Sequence, residues 1–320
     1  MFYRSFCAVL IIAALAIFAA GCGRRDASGP AGGDQRTIRI EGSDTMVNLA
    51  QAWAEDYNKK FPGISVQVLG GGSGVGIASL TDGNCDMANA SRQMKPKEIE
   101  RVKDKRGVEP VEHIVGYDAL AVYVHKNNPV DTITIDQLAE IYGEGGTITN
   151  WSQIPGGADL EITRVSRQNN SGTYVYFREA VLGPKREYKL GSIDQSGSKD
   201  VVALVSKTPG AIGYSGMGYA TPEVKMLNIS SAKGEPGVPP TVENAKDGSY
   251  PITRPLYIYT AGEATGLLKE FLDWINSPAG QKVVLHLGYV PAHSPEEDAG
   301  GGGAASDAST DTDTSTDTDT

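Results

Sequence analysis

Residues 37–46, TIRIEGSDTM, pass from an alternating strand into a Gly-Ser-Asp-Thr turn that opens an apolar helix. Met46, Leu49, Trp53, Tyr57 and Phe61 recur at three- and four-residue steps, the period of a buried helix face. The same passage occurs twice more, at 64–74 (ISVQVLGGGSG) and 161–173 (EITRVSRQNNSGT). A helix start leaves backbone N–H groups unpaired and carries partial positive charge; glycine permits close approach and hydroxyls add donors. Three such ends converging form a dry, donor-rich anion cage, in which Arg167 can grip two oxygens at once. Taken singly, each piece has a plainer reading. Ser43 and Asp44 read as a helix cap, the glycine run as a turn, and Arg167 as a solvated or salt-bridged side chain.

Working outward, strands are expected at 111–125, 211–214 and 254–259, and helices at 200–206, 263–276 and 277–287. Thr134-Ile135-Asp136-Gln137 has the pattern of a capping box for a helix running to Tyr142. In the helix after Ser171, Tyr174, Phe177 and Val181 are expected to face inward. Strand–helix alternation of this kind predicts an α/β fold with mostly parallel sheets.

The chain has 320 residues and a net charge of −10. Eight acids and no Lys or Arg follow residue 295, so residues 1–295 carry only −2. With no basic stripe, nucleic acid is not an expected partner. Three cysteines without metal-type spacing exclude a disulfide framework and a zinc finger. Enzyme signatures are absent as well. Gly70–Gly76 lacks the GxGxxG spacing, no GxxxxGK[ST] loop occurs, and Ser73 lacks the final glycine of a nucleophile elbow. None of His113, His125, His286 and His293 pairs with a second ligand at metal spacing. No catalysis, cofactor or metal is therefore expected.

At the N-terminus Arg4 precedes an uncharged apolar run to Gly21, short for a bilayer span of ~20 residues and matched to an export signal. Ala19-Ala20-Gly21-Cys22 resembles a bacterial lipobox, so residues 1–21 are expected to be cleaved and Cys22 lipidated. A plain secretory signal and an uncleaved anchor are the other two readings. Residues 22–35 read as a flexible tether and 294–320 as a disordered acidic tail. Cys7 leaves with the signal, which makes Cys85 the single thiol of the folded body.

The segments IEGSDTM, VLGGGSGVG, CDMANASRQM, YDALAVYVHKNNPV, LAEIYGEGGTITNW, RQNNSGTYVYF, GAIGYSGMGYA and SPAGQ…LGYVP occur in an order and spacing that together resemble the PstS family. These are the phosphate-binding proteins that feed ABC phosphate importers. The resemblance implies a two-domain periplasmic-binding-protein clamp, type II-like, with two inter-domain crossovers. Domain I would comprise 36–116 plus 256–293, and domain II 117–255. Carried over by motif, the phosphate contacts fall on Ser43, Thr45, Met46 (through its backbone N–H), Ser73, Arg167, Ser171, Gly172 and Thr173. Asp44, Gly72, Ser91, Arg92 and Asn170 are further candidates.

Arg92 departs from the family, whose better-known members carry Asp there. A carboxylate acceptor welcomes protonated phosphate and repels sulfate. Here Asp44 or Asp118 is left to act as acceptor, or none does. Arg92 reads either as a donor to the anion or as a salt bridge at the cleft rim. The implied partners are inorganic phosphate, an ABC permease and ATPase complex, and the membrane through the lipid, with the protein a monomer at the cell envelope. Sulfate or molybdate as cargo, and a sensor or adhesion lipoprotein reusing the fold, are the alternatives.

Overall fold

The computed structural model describes residues 36–296, so the segments expected to be an export signal, the lipidated Cys22 and its tether, and the expected tail beyond Glu296 lie outside the described residues. The chain opens with β1 (Arg36–Gly42), α1 (Val47–Lys60), β2 (Ile64–Leu69), α2 (Ser73–Asp82), β3 (Met87–Ala90) and α3 (Pro96–Arg106). β4 (Pro110–His125) then runs for 16 residues. Next come β5 (Thr132–Thr134), α4 (Ile135–Tyr142), β6 (Thr163–Arg167), α5 (Gly172–Phe177), β7 (Ile193–Gln195), α6 (Ser198–Val205) and β8 (Ala211–Gly216). The last elements are β9 (Val224–Met226), β10 (Asn228–Ser230), α7 (Val242–Lys246), β11 (Thr253–Ala261), α8 (Gly266–Asn276), α9 (Pro278–His286) and β12 (Val290–Pro291).

Local chemistry accounts for many of these boundaries. In α1 the periodic Leu49, Trp53 and Tyr57 are buried, whereas Phe61 falls at the C-cap and stays 38% exposed, tilted against Tyr57. At α4 the Thr134 hydroxyl accepts from Gln137 N–H, and the Gln137 side chain accepts from Thr134 N–H, closing the capping box. Phe177 and Val181 are buried, while Tyr174 is only half-buried. α8 begins at Gly266, three residues later than the sequence pattern suggests, with Thr265 as its N-cap.

Strand order along the main hydrogen-bonded path is β2-β1-β3-β11-β4-β8-β6-β7, with β9 and β12 also paired to β4. β1 is parallel to β2 and β3, and β6 is parallel to β7 and β8. The two longest strands, β4 and β11, run antiparallel to each other. The expectation of mostly parallel sheets is therefore corrected to a mixed sheet. The chain leaves one lobe along β4 and returns along β11, so the two passages must point in opposite directions.

Apolar side chains collect on either side of this passage. Ile38, Trp53, Met87, Val115, Leu256, Phe271 and Ile275 belong to one core. Leu120, Val124, Ile141, Trp151, Phe177, Ile212 and Ile252 belong to another, joined by Val290 of β12. The fold is an α/β clamp of two lobes with two crossover strands. No helix among the described residues is long and apolar enough to cross a membrane.

Candidate functional site

The turn after β1 is shaped by Gly42, at φ +142°, where a Cβ would collide with the Asn89 carbonyl. This close approach lets Ser43 N–H donate to Asn89 O at 2.9 Å. Two phenols pin the next carbonyls: Tyr219 donates to Asp44 O at 2.6 Å and Tyr289 to Thr45 O at 2.7 Å. With its carbonyls engaged, the turn presents the Ser43 and Thr45 hydroxyls to a buried cluster. The Ser43 hydroxyl donates to Ser91 Oγ at 2.9 Å. At the start of α2, Ser73 Oγ accepts from Ser91 N–H at 3.1 Å.

The other lobe supplies the start of α5. Ser171 caps it, its hydroxyl accepting from Thr173 and Tyr174 N–H. Gly172 comes so close to the first lobe that a Cβ would collide with Ser73 Oγ and sit 2.6 Å from Ser91 Oγ. Thr173 Oγ1 lies 2.9 Å from Thr45 Oγ1, one hydroxyl from each lobe. Met46 behaves differently from the expectation: its N–H donates to Ser43 O at 3.0 Å and its side chain packs in the core.

At the centre stands an ion pair. Arg254 Nη2 and Nε donate to Asp118 Oδ2 at 2.8 and 3.1 Å. Asp118 Oδ1 accepts from Met217 N–H at 3.1 Å. Arg254 Nη2 also reaches Thr45 Oγ1 at 3.2 Å and Thr173 Oγ1 at 3.0 Å, and Nη1 donates to Ser91 O at 3.2 Å. Ser43, Thr45, Ser73, Ser91, Asp118, Thr173 and Arg254 are each at most 2% exposed. Burial pushes the Asp118 carboxyl upward, and the Arg254 charge and bonds oppose that rise.

Arg167 closes a second cross-lobe link. Its Nη2 donates to Asp44 Oδ2 at 2.9 Å and to Ser196 O at 2.7 Å, its Nη1 to Ser198 Oγ at 3.0 Å, and its Nε to Gln195 O at 3.3 Å. Burial lowers its pKa, and the Asp44 charge works against that. Asp44 Oδ1 accepts from Gly71 N–H at 2.9 Å. Beside this link Asn170 bridges the lobes twice, its carbonyl accepting from Gly74 N–H and its Nδ2 donating to Gly71 O. Gly72 is required here, because a Cβ on it would sit 2.8 Å from the Asn170 carbonyl.

Arg92 does not join the cluster. It forms a bidentate pair with Glu98 at 2.7 and 2.8 Å and donates to Gln93 O. Of its two readings, the structure has the salt bridge. Glu98 also accepts from Lys95 N–H at the start of α3, so Arg92 is drawn toward that helix. Arg254 was not among the residues singled out from sequence, and Asp118 entered only as an alternative acceptor. Arg254 is the one charged residue of β11, followed by PLYIY, and Asp118 interrupts the otherwise uncharged second half of β4, followed by ALAVYV; a charge set in such an apolar run is the signal that marks them.

A family model for the PBP superfamily domain matches residues 27–279. The phosphate-binding protein PstS of Pseudomonas aeruginosa is 33% identical over 310 residues, covering 88% of this chain and 94% of the relative. PstS of Bacillus subtilis is 34% identical, covering 88% and 92%. Among solved structures, a Clostridium perfringens protein described as a phosphate ABC transporter substrate-binding protein, with phosphate bound, superposes with a TM-score of 0.72 at 32% identity. That match covers 80% of this chain and all of the other. An ABC-type phosphate transport receptor of Vibrio cholerae gives 0.62 at 28% identity, covering 79% and 99%. On the strength of this likeness along nearly its whole folded length, the chain belongs to the PstS family of phosphate-binding proteins within the PBP superfamily.

Proposed function

We propose that the protein captures inorganic phosphate between its lobes and delivers it to an ABC import permease and its ATPase. The observation that carries this reading is the Thr45–Thr173–Arg254 triangle, in which both lobes and a crossover strand bring polar hydrogens to one buried point. The lobes are assigned as 36–116 with 256–293, and 117–255, in keeping with the two apolar cores. The anion enters while they are apart, and closure replaces its water with fixed N–H and O–H dipoles. Nothing in this sequence of events breaks or makes a covalent bond. The contacts are assigned to Ser43, Thr45, Ser73, Ser91, Gly172 and Thr173, with Ser171 holding α5 in place and Asn170 bridging the closed lobes.

Phosphate is favoured over sulfate because the Asp118 carboxylate stands at the buried centre of the site, against Arg254. A protonated anion donates to a carboxylate, whereas a fully ionised one is repelled in a dry site at a cost of several kcal/mol. Capture from dilute medium requires a Kd of about 1 μM or below, roughly −8 kcal/mol. Lipidation at Cys22 and the 22–35 tether keep the exported protein near the permease, raising the effective concentration of one for the other.

Calorimetry of the anion-free protein against phosphate, sulfate, arsenate and molybdate tests the assignment. Micromolar or tighter phosphate binding that sulfate does not match is the expected result. Tight sulfate or molybdate binding reassigns the cargo, and silence toward all four returns the sensor or adhesion reading.

A further inference from the structure

Resting on the phosphate reading above, we propose that Arg254, positioned by Asp118, is the guanidinium that grips the anion, and that Arg167 serves lobe closure instead. The two arginines are chemically identical and both are buried, so their partners distinguish them. The four Arg167 bonds run to Gln195 O, Ser196 O, Ser198 Oγ and Asp44 Oδ2, and both hydrogens of its Nη2 are committed. Its one cross-lobe bond is to the Asp44 carboxylate, so this guanidinium ties one lobe to the other.

Arg254 is placed differently. The two hydrogens of its Nη2 serve three acceptors, namely Asp118 Oδ2, Thr45 Oγ1 and Thr173 Oγ1, and the two hydroxyl contacts are the longer ones. An anion oxygen arriving between the threonines takes over those shared hydrogens as a charge-assisted acceptor, a stronger bond than a hydroxyl offers. The threonine hydroxyls then turn their own hydrogens to the same anion. Asp118 bonds through Nε and Nη2, leaving the Nη1 edge and the outer side of Nη2 facing Ser91, Thr45 and Thr173. Location adds a second reason. Arg254 and Asp118 are register partners on the two crossover strands. Strands about which lobes hinge move least, so this guanidinium is in place before closure, whereas the Arg167–Asp44 bond forms only with closure.

The test is phosphate calorimetry on the full protein and its Arg254→Lys, Arg167→Lys and Asp118→Asn variants. It is paired with two-dimensional spectra of 15N-labelled arginine side chains, the Arg254 Nε–H being assigned by through-bond correlation. Expected results are a loss of at least about 100-fold in affinity for R254K against less than about tenfold for R167K. In the wild type the Arg254 Nε–H resonance shifts when phosphate is added. In D118N it moves away from its charge-assisted position before any phosphate is present while the Arg167 resonance stays, a selective change that general loosening does not produce. R254K binding within about threefold of wild type, or an Arg254 resonance indifferent to phosphate, overturns the proposal and leaves the phosphate reading intact. A wild-type protein that binds no phosphate overturns both. Should R254K fail to fold, the wild-type resonance decides.

Discussion

Asp118 and Arg254 are direct register partners across β4 and β11, and their side chains meet in an ion pair of 2.8 Å with exposures of 0% and 1%. The pair sits where both strands leave one apolar core for the other, since Val115 and Leu256 belong to the first, and Leu120 and Ile252 to the second. At so dry a position each charge depends on the other. Withdrawing both from water is costly, and their attraction offsets that cost only while both are present.

Removing one partner should therefore be far worse than removing both. Asp118→Ala is expected to lower stability by about 3–5 kcal/mol in urea denaturation, because it strands a buried guanidinium. The double variant Asp118→Leu with Arg254→Met should recover most of that loss and still bind no phosphate. A single variant as stable as the double would show that the pair is hydrated in solution.

Gly172→Ala isolates closure from folding. Alanine is the better helix former, so α5 itself should not suffer. The added methyl, however, collides with Ser73 Oγ across the lobes. Phosphate affinity should fall roughly 100-fold, about 2.7 kcal/mol, and the compaction that phosphate induces in X-ray scattering should vanish while the melting temperature of the anion-free protein holds. Undiminished affinity would mean that the lobes close less tightly than the Gly172–Ser73 approach indicates.

The Arg92–Glu98 pair has a pH signature. Burial alone raises the Glu98 carboxyl, but the Arg92 bonds and Lys95 N–H bring it below its ordinary 4.5. The folded protein thus binds this proton more weakly than the unfolded chain, and the stabilisation is present above pH 4.5 and lost as pH falls through the folded value. Glu98→Gln should melt below wild type by a steady margin between about pH 7 and 5, and that margin should shrink toward about pH 3. An unchanged margin at low pH would assign the loss to packing.

Cys85 is 4% exposed, and burial pushes its thiol up to about 11. At about pH 8 a thiol-exchange reagent should leave it unmodified for hours in the folded protein and react within minutes in urea, because the thiolate is the reactive form. Rapid labelling without urea would reveal opening around α2, where the thiol approaches Gly76 O.

Much of this molecule was legible before any coordinate. Strand–turn–helix passages, the Thr134 capping box and the α1 stripe all rest on residues within a few positions of each other, so local sequence suffices to predict them. The candidate hydroxyls at 43, 45, 73 and 173 were legible for the same reason, since each sits at a helix start. β3 was missed because its four residues, MANA, are buried on all sides and show no alternation.

What local pattern could not determine was partnership. Asp118 and Arg254 are 136 residues apart in sequence, and Arg167 and Asp44 are 123 apart. A guanidinium carries the same charge and the same five donors wherever it stands, so the strands themselves do not say which carboxylate each arginine meets. That choice is made by register across two antiparallel crossover strands and by distance once water is excluded. The sequence by itself determined the strand–turn–helix passages and the candidate hydroxyls at their helix starts, and its resemblance to the PstS family implied the two-lobed clamp. Only the tertiary structure decided that Arg92 belongs to Glu98, Arg167 to Asp44 and Arg254 to the centre, because desolvation and distance act on the folded chain and not on the string of residues.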